Sequence, residues 1–483
     1  MKKLTLFIFI YYLTSLEIFS QERDLKGDFG AGIGFSSSDY TPFWVRANNY
    51  GYVPVGGTYL STGINIYGDY LGDKTVDFSY GLNTRLNIGT DQANLLIQEA
   101  YGQAKWRNWE IFAGRKKQQF GLADSLISSG SYIWSQNALP ITKVELGTTG
   151  FYYPKVFGGI FAVNMSYGHG FFSNKRSDIN NFYLHQKQFY GKLFTNNSPI
   201  RLIAGFNHQV QWGGDILFDD PNNLYGINGK IPSDFNNYLY VVTGISLGIQ
   251  GDTTKNGKND AYNRAGNHLG TIDLGAEFEN EDFYILGYRQ SIYEDGSLYY
   301  LSNISDGLHG LSIKLKNSNF IQRFVIEYFN SSSQGGALGS EELLGKNRGQ
   351  DNYFNNGAYR EGWSNRQTSI GTPFITFSTE TDLTNKTDLY FDNNRIEAFY
   401  SSLYFKLNEV DIILKASLSN SFGNYGKIFS SAKKQKSFGL KAQFPMMILG
   451  YKGSLKVDLG YDDAGWYNKP NIGGNIYFSV PLF

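Results

Sequence analysis

The chain has 483 residues, 43 Lys and Arg against 43 Asp and Glu, and a formal net charge of +0. That balance excludes the broad basic footprint of a nucleic-acid binder, and the absence of cysteine excludes disulfide scaffolds, Cys-based zinc sites and a lipoprotein attachment cysteine. Aromatic residues reach 17% and Gly stands at 56, yet the mean hydropathy is −0.34, a combination that suits a sheet with one apolar and one polar face better than several soluble domains.

Taken from the start, Lys2 and Lys3 precede an apolar stretch from Leu4 to Leu16, and Ser20 precedes Gln21. A basic n-region, a short apolar h-region and a small residue at the cut predict a cleaved secretory signal over 1–20. Glu17 interrupts the run well before the roughly 20 apolar residues that a membrane helix needs. Residues 21–483 are then expected to form a single barrel domain.

From there the pattern has a period of two. Alternating segments fall near 27–36, 60–70, 75–89, 95–106, 109–115, 144–152, 157–167, 182–194, 200–212, 239–249, 268–278, 282–292, 309–316, 320–330, 396–407, 410–418, 436–444, 451–461 and 471–480. These are about nineteen, each near the 9–11 residues of a tilted spanning strand, and an even count of about 18 is expected. In 451–461, Leu455, Val457, Leu459 and Tyr461 share one face, and Lys452, Ser454, Lys456 and Asp458 share the other. Thr271, Asp273 and Glu277 likewise oppose Ile272, Leu274 and Phe278, and Asp411, Lys415 and Ser417 oppose Ile412, Leu414 and Leu418. Charge on the inner face predicts a wet or polar-filled lumen. The fold class is therefore all-β, a transmembrane antiparallel barrel whose outer face meets outer-membrane lipid.

Three stretches break the rhythm: 116–143, 213–238 and 331–395. Long connections of this kind lie mainly on the extracellular side of barrels. Ser233 is a candidate cap for a short helix in the second. The chain ends in strand-like residues and an aromatic, Phe483, the address for the barrel-insertion machinery, although Ile476, Phe478, Val480 and Leu482 sit one position out of phase with it.

Enzymatic motifs are missing. No HExxH, Walker A or dinucleotide fingerprint occurs, the GxSxG spacing at 244–248 falls inside the expected strand 239–249 and not at a strand-to-helix elbow, and no cofactor or metal is expected. His169, between glycines, reads as a loop residue. His185 and His208, both in His-Gln pairs on neighbouring strands, read as a hydrogen-bonded lumen pair or a ligand-binding pair. Asp219 with Asp220, or Asp382 with Asp388, are weak calcium candidates. The more suggestive groups join aromatic rings, arginine and amides: Trp44 and Arg46, Trp134 and Asn137, Gln211 and Trp212, and Tyr359, Arg360, Trp363 and Arg366. Aromatic planes cover the C–H faces of sugar rings, amides and guanidinium meet hydroxyls, and the arginine fork suits the carboxylate of an acidic sugar. Interface girdle and lumen packing account for the same residue types.

Several of these segments, in order, resemble the Wzi family of outer-membrane capsule assembly proteins in the form found in Bacteroidota. They are PFWVRANNYGYVP (42–54), QEAYGQAKWRNWEIFAGRKKQQFGLADSLISSGSYIWSQNALPI (98–141), FYLHQKQFYGKL (182–193), GFNHQVQWGG (205–214) and NYFNNGAYREGWSNRQTSIGTPF (352–374). The resemblance implies an 18-stranded barrel with short helices near the periplasmic mouth and no catalysis. It also implies a lectin-like grip on capsular or other extracellular polysaccharide. Where the family pattern has a His after the Phe-Asn pair, Asn355 is followed by Asn356, so any sugar contact of that His is altered here. A porin or substrate channel and a barrel-embedded hydrolase using Ser131 with His185 or His208 stand as alternatives.

Overall fold

Alternation written along the chain becomes a closed wall. The computed structural model describes residues 25–483 apart from 73, 90–92, 175, 195–197, 248–251, 295–297, 339–348, 382–389, 449, 466–468 and 483. The signal segment 1–20, Phe483 and the Asp382–Asp388 pair lie outside the described residues. Eighteen antiparallel strands pair in sequence order. They are β1 Lys26–Ser36, β2 Tyr59–Gly68, β3 Val76–Gly89, β4 Ala93–Trp106, β5 Trp109–Arg115, β6 Thr142–Thr148, β7 Phe161–Phe171, β8 Tyr183–Leu193 and β9 Ile200–Trp212. The second half comprises β10 Asn267–Glu279, β11 Phe283–Tyr293, β12 Gly307–Leu315, β13 Ile321–Asn330, β14 Ile396–Leu407, β15 Val410–Asn424, β16 Lys427–Ile448, β17 Tyr451–Asp462 and β18 Asn471–Pro481. Pairing of β1 with β18, Gly32 opposite Tyr477, closes the ring and leaves no sheet edge.

Period two sorts the faces. Leu60, Leu95, Leu202, Leu274, Phe399 and Leu418 stand exposed on the outside, while Thr271, Asp273, Lys415, Ser417 and Asp462 are buried within. Only a lipid environment makes such an outer belt stable. Aromatic residues ring one mouth: Trp106, Trp109, Phe194, Phe283, Phe320 and Tyr451 are all exposed there, at the short hairpins and beside the two termini. They form the interfacial girdle of a membrane barrel.

The four longest connections leave from the opposite mouth. Residues 37–58, 116–141, 213–266 and 331–395 all lie there, between β1 and β2, β5 and β6, β9 and β10, and β13 and β14. Three of them fold into the lumen. The short helix Phe43–Arg46 is wholly buried; the Phe43 N–H donates to Asp462 Oδ2 at 2.8 Å, and Trp44 Nε1 to Ser417 Oγ at 3.0 Å. Trp44 can sit there because β16 has Gly439 opposite, where a side-chain carbon would come 2.6 Å from the Trp44 Cβ. Residues 116–141 cross to the far wall, where Ser128 Oγ and the Ser129 N–H donate to Glu327 and the Tyr132 N–H donates to Gln290. Residues 351–381 are bound to them: Ser135 Oγ donates to the Gly371 carbonyl and Asn365 Nδ2 to the Leu139 carbonyl. Wall and insert thereby form one buried cluster containing Phe43, Trp134, Tyr353, Trp363, Phe377 and Tyr400. The lumen is thus not simply wet. Its loop-side part is a packed plug, each large side chain of which contributes roughly 1.5–3 kcal/mol by leaving water.

Eighteen of the alternating segments are strands, and 239–249 is not. That stretch overlaps a helix, Phe235–Thr243, whose N-cap is Asp234 rather than Ser233: its carboxylate accepts the N–H groups of Asn236 and Asn237, and Gly244 ends the helix at φ 67°. Val241 packs on Val210 and Trp212. Those two alternate with Gln209 and Gln211, which bond inward to the Ile133 and Gly362 carbonyls, so the helix lies as a strap on the outside of the wall. The 239–249 run looks like a strand in sequence because a short helix with one packed face gives a similar pattern. At the mouth with the termini, the described residues include a single turn of helix, Lys155–Phe157; Phe43–Arg46, Phe235–Thr243 and Lys258–Tyr262 belong to the long connections of the other mouth.

Candidate functional site

The plug builds the floor of a cleft at the loop-bearing mouth. It has a volume of about 360 Å³, with residues 51–55 on one side, 361–368 on the other and Asn87, Asn94 and Arg176 at its edges. Its most prominent element is a tight hairpin in which Ser364–Asn365 pairs with Thr368–Ser369. The two turn residues, Arg366 and Gln367, both take left-handed backbone conformations, at φ 52° and 60°. Such a turn favours Asn and Gly; two long polar side chains there carry strain that the surrounding packing must hold. Trp363, fully buried just before the hairpin, and Asn365, bonded to Leu139, provide that hold.

Charge in the cleft is partly spent. Arg176 pairs with Asp178 at 3.1 Å and donates to the Gly362 carbonyl, its guanidinium over the Phe182 ring. Glu361 accepts from the Ser177 N–H at 3.0 Å and lies 3.7 Å from Arg176. Asn87 Nδ2 donates to the Tyr52 carbonyl at 2.6 Å. Arg366 makes no hydrogen bond or ion pair among the described residues and stands exposed beside Gln367. The arrangement offers the Arg366 guanidinium and the exposed amides of Gln367 and Asn94, which is chemistry for an anionic or polyhydroxylated ligand.

Of the twelve residues singled out from the sequence, Arg366 lies in the cleft. Trp44, Trp134, Asn137, Tyr359 and Trp363 are buried in the plug, where Asn137 Nδ2 donates to the Ser369 carbonyl and the Tyr359 hydroxyl to the Gly213 carbonyl. Arg46 is buried against Glu380, and the Arg360 guanidinium stacks on Phe218 at 3.5 Å. Gln211 points inward to Gly362. Trp212, His185 and His208 are on the outer face, where the strap packs over them. His185 and His208 therefore do not meet in the lumen: His208 Nε2 lies 2.9 Å from His268 Nδ1, and His185 stacks on His169, which is a strand residue of β7 and not a loop residue. Ser131 is inside, bonded to the Phe120 carbonyl and to Gln290. The wall separates it from both histidines, so no nucleophile–base pair is assembled from these residues. Asp220 caps the Leu224, Tyr225 and Gly226 N–H groups, and among the described residues no group of three acidic or histidine side chains is arranged to hold a metal. Tyr52, Asn87, Arg176 and Gln367 escaped sequence reading; only the Asn-Arg-Gln run beside Trp363 hinted at them.

No family model and no curated protein matches the sequence. Among solved structures, the chain is similar to Wzi of Escherichia coli, described as an outer-membrane protein involved in group 1 capsule assembly and a carbohydrate-binding β-barrel. The identity is 13%, the coverage 98% of this chain and 87% of that one, and the TM-score 0.58. Weaker likenesses are to Acinetobacter baumannii OccAB2, at 10% identity, 95% and 98% coverage and a TM-score of 0.45, and to the Pseudomonas aeruginosa outer-membrane protein OprD, at 9%, 95% and 94%, and 0.43. The fold is that of an outer-membrane barrel. At these identities the comparison speaks to architecture, and what the barrel does rests on its own residues.

Proposed function

We propose that this protein is a non-enzymatic outer-membrane barrel that holds capsular or other extracellular polysaccharide at the cell surface, with the long connections facing outward. The observation that carries the reading is the cleft on the plug. Loops filling the lumen give a packed floor, and that floor presents the Arg366 guanidinium, unpaired among the described residues, with Gln367 to the outside. The likeness to a carbohydrate-binding barrel, and the resemblance of 42–54, 98–141 and 352–374 to Wzi segments, support it. The test is glycan staining of cells lacking the protein, cell-bound against released, together with binding of the strain's own purified glycan to the barrel in detergent. Glycan should move from cells to medium in the deletion strain; unchanged cell-bound glycan would refute the reading.

A second reading, a substrate channel, draws on the charged wall below the plug, where Lys116 pairs with Glu110 at 2.9 Å and Lys117 with Glu99 at 3.2 Å. Steady single-channel conductance in planar bilayers would favour it over the surface anchor.

A further inference from the structure

Beneath the plug, on the side away from the cleft, lies a separate cavity of about 260 Å³ between residues 117–136, the 48–52 turn and the wall. Asn49, Gln98, Gln136, Lys117, Lys415 and Lys441 line it. Ser125 and Leu126, also in its lining, are exposed, so this side of the plug meets water. Ile413 and Lys441 sit towards the ends of β15 and β16 nearer the terminal mouth, which sets the direction from which the cavity is reached.

Its charges are unequally matched. Lys117 has Glu99, and Asp124 in the lining is held by Arg323 at 2.9 Å and by Ser312 at 2.7 Å. Lys441 donates to Asn49 Oδ1 at 2.7 Å. Lys415 differs. It is 6% exposed, its ammonium lies 5.0 Å from the Trp44 ring centre, and among the described residues it has no hydrogen bond or ion pair. The carboxylates that act on it are Glu327 and Asp458. Glu327 is already engaged by Ser128, Ser129 and Tyr288, and Asp458 sits opposite Lys441 in the strand register. An ammonium this buried beside a second one, with no hydrogen bond or ion pair among the described residues, is favoured by an anion placed between the two.

We propose that the cavity is a binding site for one small sugar acid, its carboxylate between Lys415 and Lys441 and its hydroxyls donating to the amide oxygens of Gln98 and Gln136, whose nitrogens already donate to the Asn49 carbonyl and to Gln119 and the Ser125 carbonyl. The volume is just below the roughly 300 Å³ at which drug-sized pockets begin, the scale of a single ring. Amides beside lysines distinguish it from a bare ion site. It is independent of the surface cleft and does not rest on the surface reading.

The test uses the full barrel in detergent, titrated calorimetrically with glucuronate, glucose and acetate. Saturable glucuronate binding is expected, stronger than that of glucose or acetate. It should weaken about tenfold or more in Lys415→Met and in Lys441→Gln, and stay unchanged in Lys434→Gln, an exposed lysine of the same strand. Heat-dependent gel mobility checks that each variant is folded; should Lys415→Met fail that check, Lys441→Gln decides. No saturable glucuronate binding, or folded variants that bind like the parent, overturns the proposal. Acetate binding as tightly as glucuronate overturns the sugar-acid assignment.

Discussion

Arg46 and Glu380 meet at 2.8 Å inside the barrel, 6% and 1% exposed, although more than half the chain separates them in sequence. One belongs to the first long connection and the other to the last, so this pair joins two inserts that share no strand. Removing one partner of such a buried pair costs roughly 3–5 kcal/mol, chiefly through the charge left behind. Arg46→Met should therefore lower the thermal transition of the barrel and open residues 37–58 and 351–381 to protease. The double variant Arg46→Met/Glu380→Leu should recover most of that loss, because neither charge is then stranded. A single variant as protease-resistant as the parent would show that the pair contributes little.

Arg366 has nothing to hold it in the described structure, so its loss should leave the fold intact and the cleft weakened. A hydrogen bond to a charged group contributes roughly 1.5–3 kcal/mol. Arg366→Ala should weaken glycan binding about ten- to hundredfold with an unchanged melting temperature. Arg366→Lys should recover less than half of the difference on a log scale if a planar fork is what the ligand reads. Glycan titration of the two variants measures both.

Asp306 gives the plug a pH dependence. Burial pushes its carboxyl from 3.8 up to about 6, against the opposing pull of the Gln334 and Ser333 N–H groups and the Tyr353 hydroxyl. The folded state then holds this proton more tightly than the unfolded chain. Stability contributed by that proton is present below about pH 4 and is lost as pH rises to about 6, where the slope ends. In Asp306→Asn that portion of the slope should vanish. Thermal midpoints across pH 4 to 7 decide it, and equal slopes for the two proteins would exclude Asp306 as the source.

Asp234 holds the first turn of the strap. Losing an N-cap costs about 1 kcal/mol. Asp234→Ala should speed protease cleavage within residues 213–266 severalfold while the barrel melts where it did, because the strap packs on the wall and is not part of it.

Strands were the most legible part of the molecule, for a local reason. A two-residue period is visible in any short window, and lipid outside with polar groups inside makes that period strict. Lys452, Lys456 and Asp458 could be placed on the inner face from 451–461 alone. The exception, 239–249, failed where the pattern was short and its context decisive: Asp234 and Gly244 bound a helix whose apolar side packs on Val210 and Trp212.

The candidate site was legible in kind and not in place. Trp44, Trp134, Trp363 and Tyr359 carry the right chemistry for sugar, and burial uses it for packing instead. The residues left facing outward, Arg366 and Gln367, are chosen by a turn whose geometry depends on Leu139 and Trp363. By itself the sequence determined the barrel, its strand order and the face each strand residue takes, since all three follow from alternation between neighbours. Only the tertiary structure decided that the loops turn inward, which aromatic residues become floor rather than surface, and that Lys415 is left without an acceptor among the described residues. Those outcomes are set by contacts such as Arg46 with Glu380 and Trp44 with Gly439, between residues hundreds of positions apart, and no local pattern encodes them.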